Sequence, residues 1–271
     1  MYKRKVNITR IKKEEKNNVE DIVLVEKPID IYINSEPIVN IICLPQDLKE
    51  LAYGFLFSIG IIDSANDIKK IKISEVDNNI KVELKNSLDF TTEDIDMNPV
   101  SRVVDTTCGI PSPWRKLIKN KLDEAKVKEE LWADETMKIH SSTLFSAIKK
   151  MQASTPLYRE TGGCHGAAIF DQDGEMLSVK EDTGRHNAID KVIGEMILKN
   201  LSFDNVFLTS TGRLTSDSVL KAIRAKIPIV ASFSAAIESG IKLALAYGIT
   251  LIGFARGRRM NIYTHPERIE I

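Results

Sequence analysis

Apolar residues along the first 85 positions recur at short, strand-like intervals, and the pattern changes at Leu157. Between residues 20 and 45, the stretches DIVLVE, DIYINSE and PIVNIICL are rich in β-branched residues and predict three short strands, with Asn34-Ser35-Glu36 as a hairpin turn. Asp47 stands where a helix cap belongs, ahead of the stripe Leu48, Leu51, Ala52, Phe55 and Leu56, and the helix should stop near Gly60. IKKIKISEVDNNIKVELK predicts a second hairpin turning at Asp77-Asn78-Asn79. The charged N-terminus, MYKRKVNITRIKKEEKNN, reads as a ragged or edge-strand start. Residues 86–112 have little periodicity and form a long polar connection. Helices over about 113–126 and 141–152 follow.

Beyond Leu157 strands and helices alternate. HGAAIFD and EMLSVKE flank Gln172-Asp173-Gly174 as a hairpin, and a helix with the stripe Ile189, Val192, Ile193, Met196 and Ile197 runs to Asn200. Then come NVFLTS, LTSDSVLKAIRAK, PIVASF, AAIESGIKLALAYG, TLIGFA and the short strand MNIYT. Such alternation implies a layered α/β domain with parallel strand pairs joined by right-handed crossovers. At 271 residues the chain can bury a substantial core. We place a β-rich subdomain at 1–112 and the α/β domain at 113–271.

Chemistry-bearing residues fall where this pattern puts strand ends. Ser210-Thr211-Gly212-Arg213, Ser232-Phe233-Ser234 and Phe254-Ala255-Arg256-Gly257-Arg258-Arg259 each follow one of three consecutive strands. In such sheets ligands bind beyond the carboxyl ends of the strands. The segment Asp182 to Lys191 crowds Arg185, His186, Asn187, Asp190 and Lys191 around the first turns of a helix, more than a cap requires. That crowding at a positive helix end suits a phosphorylated ligand. In Thr161-Gly162-Gly163-Cys164-His165-Gly166 two glycines permit close approach to a ligand and His165 can donate to it. The competing reading is a capped helix with a solvated face and arginines in a solvated loop.

Composition narrows the classes. Lys+Arg and Asp+Glu are equal at 38 each, so no global field draws nucleic acid or an anionic membrane. The weakly polar run Ile227 to Ile237 is too short to span a bilayer, and the charged N-terminus has no apolar segment of a secretory signal after it. Three well-separated cysteines, Cys43, Cys108 and Cys164, argue against a disulfide scaffold and for a reducing cytoplasm. Cys43 lies in the run IICL and reads as core. Cys108, among Thr106, Thr107 and Gly109, has the surroundings of an accessible thiol that could attack or carry sulfur; an inert half-buried cysteine is the alternative. No Gly-x-Ser-x-Gly or Gly-x-x-x-x-Gly-Lys-Ser/Thr motif occurs. His165 has no glutamate two residues on and no Pro-Cys-x-x-Cys, so a deaminase zinc site lacks its ligands.

The stretches CLPQDLKELAYGFLFSIGII, TGGCHGAAIFDQDGEMLSVKEDTGRHNAIDKVIG, STGRLTSDSVLKAIRAKIPIVASFSA and TLIGFARGRRMNIYTHPERI resemble the formate dehydrogenase accessory sulfurtransferase family (FdhD/NarQ) over residues 29 to 269. The resemblance implies a three-layer cytidine-deaminase-like domain without zinc, its sheet mixed but largely parallel, plus a smaller N-terminal β-rich part. It implies a sulfurtransferase that takes persulfide sulfur from a pyridoxal-phosphate cysteine desulfurase. The recipient would be the molybdenum or tungsten bis(pterin guanine dinucleotide) cofactor of formate dehydrogenase, bound as substrate. By that resemblance Cys108 and Gly109 open the family's Cys-Gly-x-Cys-Gly loop, and Phe254 to Arg259 match its cofactor-contacting segment. The second cysteine and glycine of the loop are Pro111 and Ser112 here, which removes a resolving thiol unless Cys164 takes its place. The expected cofactor contacts are thus Gly162, Gly163, His165, Arg185, His186, Asn187, Lys191, Ser210, Gly212, Arg213, Ser234 and the Phe254–Arg259 run. A homodimer is carried over from the family. A non-catalytic cofactor chaperone, a nucleotide-modifying enzyme and a nucleotide-sensing regulator stay open as alternatives.

Overall fold

The computed structural model describes residues 2–85, 103–104, 118, 120, 122–123, 127–128 and 137–271. Cys108, Pro111, Ser112, the proposed boundary at 112/113 and most of the helix expected over 113–126 lie outside the described residues.

The chain begins with β1 (Lys3–Lys12) and β2 (Glu15–Leu24), a long antiparallel ribbon in register from Lys3 against Leu24 to Lys12 against Glu15. Of the ragged or edge-strand start expected there, the edge strand is what forms. Lys13 and Glu14 both take positive φ, 49° and 68°, the twist a two-residue hairpin turn needs. Lys-Glu lacks the Asn-Gly chemistry that normally announces such a turn. Tyr2 and Leu24 anchor the ribbon on Leu44, Leu157, Tyr158 and Cys164.

β3 (Lys27–Ile33) and β4 (Glu36–Cys43) form the expected hairpin around Asn34 and Ser35. Helix α1 (Leu48–Ser58) follows, then β5 (Ile68–Ser74), β6 (Asn79–Leu84) and β7 (Val103–Val104), giving a five-stranded sheet in the order β5-β6-β3-β4-β7. Asp47 does occupy the residue before α1, but its φ is 53° and its side chain makes no cap bond. It accepts instead from Lys180 Nζ at 3.0 Å, a cation that also lies 3.5 Å from a carboxylate oxygen of each of Glu50 and Glu195.

In the second half β8 (Ile139–His140) leads into α2 (Ser141–Ala153) and the short α3 (Pro156–Thr161), which the sequence reading did not anticipate. Next come β9 (His165–Asp171), β10 (Met176–Asp182), α4 (Arg185–Leu198), β11 (Val206–Ser210), α5 (Ser216–Arg224) and β12 (Ile229–Ser232). The chain closes with α6 (Glu238–Ala246), β13 (Thr250–Arg256), β14 (Arg259–Thr264) and β15 (Ile269–Glu270). The six-stranded sheet runs β10-β9-β11-β12-β13-β14. Only β11, β12 and β13 are mutually parallel; the β9–β10 hairpin and β14 join antiparallel. The sheet is therefore mixed rather than largely parallel, since β9 and β10 arrive as a hairpin and not through a crossover.

Side-chain alternation splits the sheet's two faces. Ala168, Phe170, Phe207, Ile229 and Ile252 pack on Leu144, Ala147, Ile148 and Met151 of α2. Ala167, Ile169, Leu208, Val230 and Leu251 join the larger core with α4 and α5, and through them with α1 and the five-stranded sheet. α1 is buried along nearly its whole length, so it has no polar face. It crosses α4 at Gly54 and Gly194, where a Cβ would come within 1.7 Å of Asp190 O and 1.9 Å of Glu50 O respectively.

Candidate functional site

Three parallel strands ending together set the rim. Thr211 N donates to Gly166 O and Phe233 N to Ser210 O, both near 3.0 Å, so the start of β9 lies beside the ends of β11 and β12. Ser232 Oγ donates to Ser210 O at 3.0 Å and Gly212 O at 2.6 Å, and accepts from Ser234 N at 3.0 Å. Ser210 Oγ accepts from Gly212 N at 3.0 Å. The serines thus hold the rim's backbone in place. This is the stitching the Ser-Thr-Gly and Ser-Phe-Ser motifs provide, and it leaves Ser232 little hydrogen-bonding capacity for a ligand.

Cations occupy the rim. His165 Nδ1 lies 3.2 Å from Thr211 Oγ1, which also receives Gly166 N at 3.0 Å. Burial lowers the His165 pKa, with Arg185 and Arg213 adding to the effect and Asp182 opposing it. Burial likewise lowers Arg185, with Arg213 reinforcing it and Asp217 opposing. Arg185, Arg213 and His165 are therefore neighbours, while Gly162 and Gly163 are exposed just ahead of β9.

A second basic feature lies at the turn between β13 and β14. Arg256, Gly257 and Arg258 line a groove of about 590 Å³ against Ser142, Phe145, Lys149 and Gln152 of α2. The Arg256 guanidinium sits over the rings of Phe233 at 5.4 Å and Phe254 at 5.7 Å. Phe254 takes φ 53°, which turns the strand as its N–H reaches Ser234 O at 2.8 Å. Ala255 is buried against the α2 side of the sheet, so within this run it contributes packing while Arg258 and Arg259 are exposed. The α2 residues of this groove were missed from sequence; a polar helix face carries no sign of what it opposes.

Two of the expected contacts turn inward. Lys191 is 0% exposed and pairs with Asp182 at 2.7 Å while donating to Leu44 O and Glu181 O. Asn187 Nδ2 donates to Ile42 O at 2.9 Å and Asp182 Oδ1 at 3.0 Å. Both bolt α4 to the end of β4, so the ligand role assigned to them from sequence is replaced by a role between elements. His186 is also buried, and Asp190 is held by Lys221. The crowded helix start thus sends Arg185 to the rim and most of its other polar residues into the core.

Neither described cysteine is poised as a nucleophile. Cys43 is fully buried and its thiol is pushed far up by burial. Cys164 is 4% exposed, packs among Leu44 and Leu157, and lies 3.7 Å from Glu181 Oε1. Burial first and Glu181 second push it up to about 12. Cys164 is therefore not a substitute for the missing loop thiol, because the reactive form is the thiolate. A brief iodoacetamide pulse at pH 8 is expected to leave Cys43 and Cys164 unmodified in the native protein and to alkylate both after denaturation, as read by peptide mass.

Among the described residues no group of three or more His, Cys, Asp or Glu side chains could hold a metal ion, and no helix is long and apolar enough to cross a membrane.

Fold and rim together define a mixed α/β protein whose strand ends carry an arginine- and glycine-rich edge. The FdhD/NarQ family model matches residues 24–270, and the chain belongs to that family. Its relatives include proteins named "Sulfur carrier protein FdhD" from Sulfolobus acidocaldarius, 36% identical over 100% of both chains, and from Bacillus subtilis, 32% identical over 97% of this chain and 96% of that one. The protein of that name from Methanothermobacter thermautotrophicus is 35% identical over 94% of each. A crystal structure described as a formate dehydrogenase accessory protein from Desulfotalea psychrophila superposes over 100% of both chains, with TM-score 0.76 and 29% identity.

Proposed function

We propose that this protein is a sulfur carrier supporting formate dehydrogenase, with Cys108 as the carrying thiol. The observation that carries the reading is the whole-length similarity to proteins named as sulfur carriers, joined to the burial of the other two thiols. Cys108 thiolate attacks the terminal sulfur of a desulfurase persulfide; the S–S bond of the donor breaks, its thiolate leaves, and a persulfide forms on Cys108. No net oxidant is needed, because sulfane sulfur only changes partner. Pro111 in place of a second loop cysteine leaves the persulfide without a neighbouring thiol to resolve it, which suits a carrier that must keep its cargo.

The recipient in this reading is a molybdenum or tungsten bis(pterin guanine dinucleotide), held as substrate. Delivery breaks the Cys108 S–S bond; the terminal sulfur gains two electrons from the metal and becomes its ligand, and Cys108 departs as thiolate. The rim arginines Arg185 and Arg213, which make no ion pair among the described residues, the α2 groove and the stacked Arg256 support a cargo with several anionic groups and flat rings. The helix layers on both faces of the six-stranded sheet support kinship with the deaminase-like scaffold. A reducing compartment such as the cytoplasm fits a chain that works through a free thiol.

The test is intact mass after incubation with a cysteine desulfurase and cysteine. The wild type is expected to gain one labile sulfur that dithiothreitol removes, and Cys108→Ser to gain none. Equal loading of Cys108→Ser would exclude the assignment. A Cys108→Ala protein that still restored formate dehydrogenase in cells would instead favour a non-catalytic cofactor chaperone.

A further inference from the structure

We infer that the outer face of the five-stranded sheet, where Lys70, Lys72 and Lys81 cluster beside Tyr32, docks a carboxylate-bearing segment of a protein partner. The inference goes beyond sulfur carriage and does not rest on Cys108. Side-chain alternation decides which residues face out. Ile31, Ile33, Ile80 and Val82 join the core with α1, and Tyr32 and Lys81 between them lie on the other face. Lys72 stands directly opposite Lys81 across β5 and β6, and Lys70 opposite Glu83. Lys81 is also level with Tyr32 of β3 and lies 5.9 Å from its ring centroid. Like charges directly opposed in an antiparallel pair are destabilising. Glu83 offers little relief, because Lys69 holds it at 2.6 Å. Its carboxyl is kept below the usual range by Lys69 first, desolvation opposing, with the charges of Lys70 and Lys72 adding less. Lys69, Lys70 and Lys72 thus draw on one carboxylate, and among the described residues Lys70, Lys72 and Lys81 make no ion pair.

An incoming carboxylate would remove the repulsion that the free sheet carries. The lysines and the Asn34–Ser35 turn border a cleft of about 240 Å³. That is smaller than an ordinary small-molecule pocket and ample for an acidic side chain. Val76, in the turn joining β5 to β6, is 92% exposed and offers an apolar contact at the end of the same hairpin. A protein segment with carboxylates and an apolar residue matches both features. A nucleic-acid backbone does not. Glu83 and Asp30 share the face with the lysines and would repel a continuous row of phosphates. The chain's balanced charge, 38 basic against 38 acidic residues, supplies no wider field to hold one.

The probe is an end-capped, fluorescein-labelled peptide of alternating glutamate and leucine, titrated with the full chain by anisotropy, with its glutamine counterpart as comparator. Wild type is expected to bind the glutamate peptide, less tightly as salt rises, and the glutamine peptide at least about tenfold more weakly. Lys70→Gln/Lys72→Gln/Lys81→Gln is expected to weaken the glutamate peptide at least about tenfold, and Val76→Ser about threefold. Arg4→Gln/Lys12→Gln/Lys16→Gln, which removes as many exposed charges from the β1–β2 ribbon, is expected to leave binding unchanged. Folding gives a second readout. Lys72→Glu, which sets opposite charges across β5 and β6, is expected to raise Tm by about 1–3 °C while weakening the peptide, a combination that misfolding does not produce. Equal binding of the two peptides, an equal loss in the ribbon variant, or tighter binding of polyuridylate or of phosphatidylglycerol vesicles would overturn the inference.

Discussion

Gly54→Ala is expected to cost at least about 3 kcal/mol and to lower Tm by roughly 6–12 °C, as measured by calorimetry. The reason is backbone meeting backbone. An added Cβ on α1 would lie 1.7 Å from Asp190 O and 2.5 Å from Asp190 C, neither of which can rotate away as a side chain would. Gly194→Ala meets Glu50 O at 1.9 Å from the opposite helix, so it should cost a similar amount. Because both residues occupy one crossing, the double variant should cost less than the sum: once the helices are apart, the second methyl meets a gap. Gly163→Ala is the control. Its nearest neighbour would be 3.4 Å away and its φ is not in the left-handed region, so a change within about 0.5 kcal/mol is expected. If Gly54→Ala matched this control, the close helix approach would not be what joins the five-stranded sheet to the rest of the molecule.

That crossing shows where sequence reading stops. The stripe in α1 was legible because five apolar residues fell at helical spacing, and so were the strands and helices from β11 to β14, which alternate regularly; β15 was not. Gly54 was invisible as a contact: a glycine in a helix says only that something comes near, not which carbonyl. The same limit governed the site. Ser210, Gly212, Arg213 and Ser234 share a rim because strand ends in a parallel run must lie together, which topology alone dictates. Asn187 and Lys191 looked alike to Arg185 in sequence, yet Arg185 is half-buried at the rim while Asn187 reaches Ile42 O and Lys191 reaches Leu44 O. Only the position of β4 decides which, and nothing local encodes it. Asp47 made the opposite error possible, since its type suits a cap while its tertiary neighbour Lys180 claims the carboxylate.

The buried pair Asp190–Lys221 gives the second large effect. Lys221 Nζ lies 2.6 Å and 2.7 Å from the two carboxylate oxygens, Ser58 Oγ donates at 2.7 Å, and the pair joins α1, α4 and α5 out of solvent. Lys221→Met is expected to cost about 3–5 kcal/mol in urea unfolding, because Asp190 is left with Ser58 alone. Asp190→Leu should cost a similar amount by stranding the ammonium. The double variant Asp190→Leu/Lys221→Met is expected to return to within about 1 kcal/mol of wild type, since well-packed apolar residues forgo both desolvation costs. The Asp190 carboxyl is itself held above its ordinary range, burial being the largest influence and Lys221 opposing it, so attraction does not fully offset desolvation here. A double variant as unstable as the sum of the singles would show the opposite balance. If the expected recovery is seen, what the pair contributes is placement rather than stability. Ser58, Asp190 and Lys221 can meet in one arrangement of three helices, and α4 in that arrangement points Arg185 at the rim.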